Sequence, residues 1–243
     1  MRSWISSTTG IDSKPLKGEA CEQVSPFFSA SAINEFAYFK GWVMAEKQSL
    51  RIVLPLEQLS AFFLLLQQGV WLRAETGCSV ANLLTEQFGI AENYIVERVT
   101  TLFLDFKPID DLQTSYVADG STLALSSAMP GLVGTTMRRG SHLAAMRGDI
   151  SCQTQQPIKI GMGHIRIKLF NLLMSELGEA FLAHGILLPA AELDSFLTER
   201  TDCFWQGITL FVGDQQTDPA SLVDLVRGAE PEDEILLRVE FKN

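Results

Sequence analysis

Cysteine is scarce in this sequence, and no motif pairs the few residues present. The four cysteines, at positions 21, 78, 152 and 203 of 243 residues, are widely separated and form no Cys-x-x-Cys pair. This scatter argues against a disulfide framework and predicts reduced thiols in a cytoplasmic protein. The N-terminus also lacks the apolar run of a secretory signal, which agrees with that localisation.

Long hydrophobic runs and excess basic charge are missing as well. The most apolar window, 59–66, is far shorter than the ~20 residues that a membrane-spanning helix needs. Nineteen Lys and Arg residues stand against 29 Asp and Glu residues, which gives a formal charge of -10 and a pI near 4.8. A field of that sign repels phosphate backbones and anionic bilayers, so neither nucleic acid nor a membrane is an expected partner.

Familiar catalytic motifs are also absent. The sequence has no Gly-x-Ser-x-Gly elbow, no Gly-Lys-Ser/Thr phosphate loop and no dinucleotide fingerprint. His142, Cys152 and His164 share no recurring metal-ligand spacing, so we expect no metal and no cofactor. Cys78 precedes a helix that Ser79 can cap, a position that lowers a thiol pKa, but a structural cysteine is the expected outcome there.

The hydrophobic content of 47% is sufficient for a packed core, and its patterning predicts the elements. Alternating residues 50–54 predict a strand, and apolar residues at helical spacing predict a helix that ends at Gly69. A strand at 70–74 and a helix after Ser79 follow. Residues 99–134 then predict a compact antiparallel unit with an Asp-Gly turn before its last strand and a Pro-Gly exit.

This order of elements occurs twice in the chain. Residues 165–169 repeat the pattern of 50–54, Gly185 and the strand after it match Gly69 and its strand, and 209–212 match 101–104. The repetition predicts two copies of one fold. The predicted divisions are an N-terminal arm (1–33), a first repeat (34–130), a Gly- and Arg-containing linker (131–163) and a second repeat (164–243).

The antiparallel unit, with the Leu102–Asp105 strand, the Asp119-Gly120 turn and the Pro-Gly exit, resembles the ubiquitin-like sulfur carriers of the β-grasp fold. The resemblance implies an α+β fold of two tandem β-grasp-like repeats with extra helices, and a role in sulfur-transfer or molybdenum- or tungsten-cofactor pathways. Carriers of this family end in Gly-Gly, whereas Gly131 and Gly134 are internal. Carrier chemistry would therefore need cleavage after Gly134.

The linker is the strongest candidate for a ligand site. It has glycines, hydroxyls and arginines, and no acidic residue occurs between Asp119 and Asp149. Glycine N–H groups can converge on an anion, and arginines donate forked hydrogen bonds to phosphate or carboxylate. The candidate residues are Gly131, Gly134, Arg138, Arg139, His142 and Arg147. The alternative is a solvated loop whose arginines pair with acidic residues of a neighbouring domain.

The expected function is that of a non-catalytic binding or accessory protein, which engages a partner protein or a small anionic ligand through its sheet surfaces and linker. A small enzyme that binds an anionic metabolite through Arg138, Arg139 and Arg147 is the alternative. It requires those arginines to converge on one pocket beside a nucleophile or carboxylate. Four aspartates flank the turns of the antiparallel unit and are expected to form those turns; they are Asp105, Asp110, Asp111 and Asp119.

Overall fold

The computed structural model describes residues 49–150 and 160–242, which contribute to one mixed sheet of ten strands. The strands are β1 (Ser49–Pro55), β2 (Val70–Thr76), β3 (Thr101–Leu104), β4 (Lys107–Pro108), β5 (Thr122–Ser126), β6 (Gly161–Phe170), β7 (Ile186–Pro189), β8 (Thr209–Val212), β9 (Gln215–Thr217) and β10 (Glu234–Lys242). Their order across the sheet is β4-β3-β5-β6-β2-β7-β10-β1-β8-β9. Only β1 with β10 and β5 with β6 are parallel neighbours, so an α+β class with a largely antiparallel sheet is confirmed.

Short helices connect the strands. They are α1 (Phe63–Gln68), α2 (Val80–Asn82), α3 (Glu92–Arg98), α4 (Gly131–Met137), α5 (Leu173–His184), α6 (Ala190–Thr198), α7 (Asp202–Trp205) and α8 (Pro219–Arg227). Leu56–Phe62 is 3₁₀-helical, Ala144–Ile150 consists of two 3₁₀ segments with a kink at Gly148, and Leu83–Gln87 continues α2 as a π-helix. Among these described helices, none combines the length and apolarity of a bilayer-crossing segment.

The helix ends follow from capping chemistry. The Ser79 side chain accepts a hydrogen bond from the backbone N–H of Asn82, as the sequence predicts for the start of α2. α1 and α5 both stop at a glycine, Gly69 with φ 104° and Gly185 with φ 101°, where a side chain would strain the backbone. Both predicted helix stops are therefore confirmed.

The core lies on one face of the sheet, beneath the helices. Alternate strand residues point into it, as in β6, where Ile165, Ile167 and Leu169 are fully buried. Helix α5 packs on β10, α6 on β7 and α8 on β8. Phe62 adds an aromatic cluster, with ring centroids 5.0 Å from Phe196 and 6.4 Å from Phe204.

The two predicted repeats share the order of their strands along the chain but not in the sheet, where the first strand of each lies among the strands of the other at a non-equivalent place. β1 lies between β10 and β8, among the strands of the second repeat, and β6 lies between β5 and β2, among those of the first. β2 and β7 meet at the centre, where Trp71 pairs with Leu187. The repeats therefore form one continuous sheet rather than two separate ones, and their membership of the β-grasp fold stays a prediction.

The first part of the predicted linker is folded. It contains α4 and the 3₁₀ segments of Ala144–Ile150, and its last residues already belong to β6. The predicted arm 1–33 and residues 151–159 of the linker lie outside the described residues. The predicted linker therefore contains helices and the start of a strand, whereas its composition indicated only a loop between two domains.

Candidate functional site

The two candidate glycines, Gly131 and Gly134, both belong to α4, and only Gly134 is packed. Gly131 opens the helix with φ 76° and is exposed. Gly134 is buried, and a Cβ atom placed on it would lie only 1.9 Å from the carbonyl oxygen of Met129. This close approach of the backbone explains a glycine at position 134 without a ligand. Arg138 and His142, by contrast, are exposed.

Arg147 is a buried cation held by one carboxylate. Its side chain is 1% exposed, and Nη2 donates to both carboxylate oxygens of Asp110, at 2.8 and 2.7 Å. The backbone N–H of Gly140 donates to the same carboxylate at 3.3 Å. The second nitrogen, Nη1, has no hydrogen-bond partner within residues 49–150 and 160–242. Arg147 thus anchors the linker to the turn after β4.

Arg139 is engaged elsewhere. Its Nη2 donates to the carbonyl oxygen of Ile95 at 3.1 Å, and its backbone N–H donates to Thr100 at 2.9 Å. Burial lowers the pKa of Arg139, and the nearby Asp110 carboxylate opposes that shift. Arg139 and Arg147 therefore bind different groups of the protein itself. The sequence left open the alternative that the linker arginines pair with acidic residues. Arg147 makes such a pair with Asp110.

The turn aspartates accept backbone hydrogen bonds. Asp105 accepts from the N–H of Thr122 at 2.8 Å, and Asp119 accepts from the N–H of His164 at 2.8 Å. Asp111 accepts from the N–H two residues further on, which lowers its pKa. The expected role in turn formation is confirmed for Asp111. The carboxylates of Asp105 and Asp119 instead hold their turns to neighbouring strands, and that of Asp110 binds Arg147.

Cys78 is not activated as a nucleophile. Its thiol lies 3.2 Å from the carbonyl oxygen of Glu75 and accepts a hydrogen bond from the Gln87 amide at 3.3 Å. Burial raises the pKa of Cys78, which disfavours the thiolate. In the part of the chain that the structure describes, no three His, Cys, Asp or Glu residues are grouped to hold a metal ion. Cys152 lies outside that part.

Sequence reasoning missed the second face of the sheet, which we call the open face. It bears the strand side chains that alternate with the buried core residues, and these are half-buried or exposed. At its centre, strand register places Arg166, Trp71, Leu187 and Leu236 side by side on β6, β2, β7 and β10. We call these four residues the central row. Cross-strand neighbours of this kind lie within side-chain contact distance.

Arginines on both sides of the centre are held in place. The guanidinium of Arg166 donates to the carbonyl oxygens of Gly69 and Gln68 at 3.2 and 3.0 Å and lies 5.9 Å from the Trp71 ring. On the other side, Arg51 lies 3.4 Å from Glu240 and 3.9 Å above the Phe211 ring. Stacking on aromatic rings orients a guanidinium while its charge stays accessible.

The open face is basic, in contrast to the chain as a whole. Its cations on the inner strands are Arg51, Arg73, Arg166, Lys168, Arg238 and Lys242. Its carboxylates on those strands are Glu75, Glu234 and Glu240. Lys168 and Arg238 make no ion pair with any other described residue. The surface therefore presents positive charge around an apolar centre on a protein of net charge -10.

A signal for this face was present in the sequence. β2 reads Trp71-Leu72-Arg73, and β6 reads Ile165-Arg166-Ile167-Lys168, so cations alternate with core residues. Alternation identifies a half-exposed strand, but it does not show which strands adjoin. No protein-family model, curated protein or solved structure matches this chain, so its own geometry carries the functional argument.

Proposed function

We propose that this chain is a non-catalytic binding protein whose open face docks an acidic partner protein. The central row is the observation that carries the proposal. Tryptophan and arginine are the side chains most enriched at the energetic centres of protein interfaces. Trp71, Leu187 and Leu236 offer the apolar centre, while Arg166 and Arg238 supply charge beside it.

Charge selects the partner. A second copy of this chain would present the same cations, and like charges across an interface oppose association. Nucleic acid is a poorer fit, because Trp71 is the one ring in the central row and the net charge of -10 repels a phosphate backbone. An acidic protein surface with its own apolar side chains complements both features. The resemblance to sulfur carriers makes a protein of sulfur-transfer or molybdenum- or tungsten-cofactor pathways the first candidate to test.

The enzymatic alternative has less support. Arg139 and Arg147, two of the three arginines it needs, already bind Ile95 and Asp110. An anionic metabolite would have to displace these partners before it could be held.

Affinity capture from the native host tests the proposal. A protein captured by the wild-type chain is identified by mass spectrometry, purified and titrated against variants by calorimetry. We expect an acidic protein, with affinity reduced at least about 30-fold by Trp71→Ala, the range of an interface hot spot. Arg238→Glu, at an exposed position, should weaken binding and reduce its salt dependence.

Val96→Ala, 64% exposed on α3, is the matched control and should bind as wild type does. The Arg238→Glu variant keeps the test valid if Trp71→Ala does not fold. Equal affinity of all variants for the captured protein would refute docking on the open face, as would recovery of nucleic acid instead of protein.

A further inference from the structure

The open face contains a cavity at the end formed by β3, β5 and β6. Its volume is about 460 Å³, within the range of small-molecule sites. Most of its wall is apolar, and the main contributors are Phe103, Phe106, Ala124, Met129, Pro130 and Phe170. An apolar cavity of this size favours a ligand whose apolar surface is removed from water on binding.

One charge lines this cavity. Lys168 is the only ionisable residue among the described lining residues, and it makes no ion pair with any other described residue. The neighbouring polar group of Asn171 is already used, because its amide donates to Ser126 Oγ at 2.9 Å and to the carbonyl oxygen of Ala128. The ammonium group is therefore left to compensate a negative charge on the ligand.

Phe106 gives a second, independent indication. It occupies the left-handed region, with φ 67°, at the turn between β3 and β4, where glycine or asparagine is unstrained. Its side chain is 82% exposed. The protein thus holds a large apolar ring in an unfavourable backbone conformation without burying it. A ligand in the cavity would cover this ring and supply the missing contact.

We infer that the cavity binds a small apolar molecule with a single carboxylate. The carboxylate lies at the Lys168 ammonium, and the apolar body lies between the rings of Phe103, Phe106 and Phe170. This inference does not rest on the docking of a partner protein, because the cavity residues are distinct from the central row.

Calorimetric titration of the full chain with three eight-carbon probes tests the inference. Octanoate, octan-1-ol and octylammonium share the apolar body and differ in the head group. Octanoate should bind with one molecule per chain, octanol about tenfold more weakly, and octylammonium not measurably, as expected for one charge-assisted contact.

Two substitutions separate the head-group site from the apolar site. Lys168→Met keeps an apolar stem and should reduce octanoate affinity to that of octanol while octanol affinity is unchanged. Ala124→Phe fills the cavity and should abolish binding of both probes. Lys242→Met, which removes an exposed lysine of β10, is the control and should leave octanoate affinity unchanged.

Phe106→Asn gives a readout in which stability and binding move in opposite directions. Asparagine tolerates the left-handed region, so the unfolding midpoint should rise, while octanoate affinity falls about tenfold because the ring is lost. Absence of octanoate binding at millimolar concentration would overturn the inference. Equal binding of octanoate and octylammonium would overturn it as well, as would octanoate binding that survives both Lys168→Met and Ala124→Phe.

Discussion

At the scale of single residues, the guanidinium of Arg147 depends on one carboxylate for charge compensation. Asp110→Asn would leave that buried charge without its partner. We expect the free energy of unfolding, measured in urea, to fall by about 1–3 kcal/mol. Asp111→Asn is the matched control, because the Asp111 carboxylate accepts a hydrogen bond only within its own turn. This variant should lower the free energy of unfolding less than Asp110→Asn does. Equal losses for the two variants would contradict the structural role of the Arg147–Asp110 pair.

The Arg147–Asp110 pair also shows what composition alone says about the linker. Read along the chain, 131–147 is an arginine-rich stretch without acidic residues. In three dimensions its most buried arginine meets a carboxylate that lies 37 positions earlier. Local composition reports the charge of a segment, whereas compensation depends on contacts between segments. The residue types were visible in the sequence, and their partners were not.

Glu176 on α5 gives a pH-dependent prediction. It accepts hydrogen bonds from Arg98 and Tyr94 of α3, and these donors lower the pKa of Glu176. A carboxylate with a lowered folded pKa contributes stability above its unfolded pKa, near 4.5, and loses it as the pH falls through the folded value.

Glu176→Gln should therefore lower the urea midpoint slightly at pH 7 and have no effect near pH 2. The effect is small because solvent screens an accessible ion pair. Glu179→Gln, at an exposed position of the same helix, serves as control. An equal difference between Glu176→Gln and wild type at both pH values would show that ionisation of Glu176 is not involved.

At the scale of elements, the close approach of α4 to Met129 leaves no space for a side chain. Gly134→Ala should destabilise the protein by about 1–3 kcal/mol, because its Cβ atom would overlap the Met129 carbonyl oxygen. Leu132→Ala, at a position 65% exposed on the same helix, should change the free energy of unfolding by less than about 0.5 kcal/mol. Thermal and urea unfolding measure both. If Gly134→Ala were as stable as Leu132→Ala, the packing of α4 against the preceding turn would be wrong.

Elements with strong periodicity were predictable and weakly periodic ones were not. Residues 101–104 and 209–212 form strands at the predicted positions, and the helix before Gly185 ends where expected. α3, α4 and α7 have seven residues or fewer, too short to establish a helical period. The sequence analysis did not predict α8, although its start has a recognisable signal. Asp218 caps the helix, and Pro219 occupies its first turn.

At the scale of the whole molecule, each half of the chain completes the sheet of the other. A break between residues 159 and 160 would separate β6 from β5 and β2, and β1 from β10 and β8. We expect neither fragment to show a native near-UV circular dichroism spectrum alone, and we expect mixing to restore it. The intact chain refolded under the same conditions is the control. Cooperative unfolding of either isolated fragment would show that the halves fold independently.

This exchange is the feature that the sequence was least able to predict. The pattern of 50–54 identifies a strand and its buried side, but any neighbouring strand with a matching apolar face satisfies that pattern. The open face escaped prediction for the same reason, because Arg166, Trp71, Leu187 and Leu236 come together only when the strand order is known. The α+β class and most element positions follow from local chemistry, whereas the surface proposed for binding follows from topology.

The position of β1 has a consequence during synthesis of the chain. Its parallel neighbour is β10, and the Arg51 and Glu240 side chains that meet across the pair are 189 residues apart. During translation β1 has no neighbour in the sheet until its antiparallel neighbour β8 is synthesised, and β10 follows later still. Closing a loop between segments so far apart in the chain costs entropy, and folding that depends on such long-range contacts is slow. Nascent chains of this protein should therefore depend on chaperones that shield the apolar side chains of β1 until β8 and β10 have been synthesised.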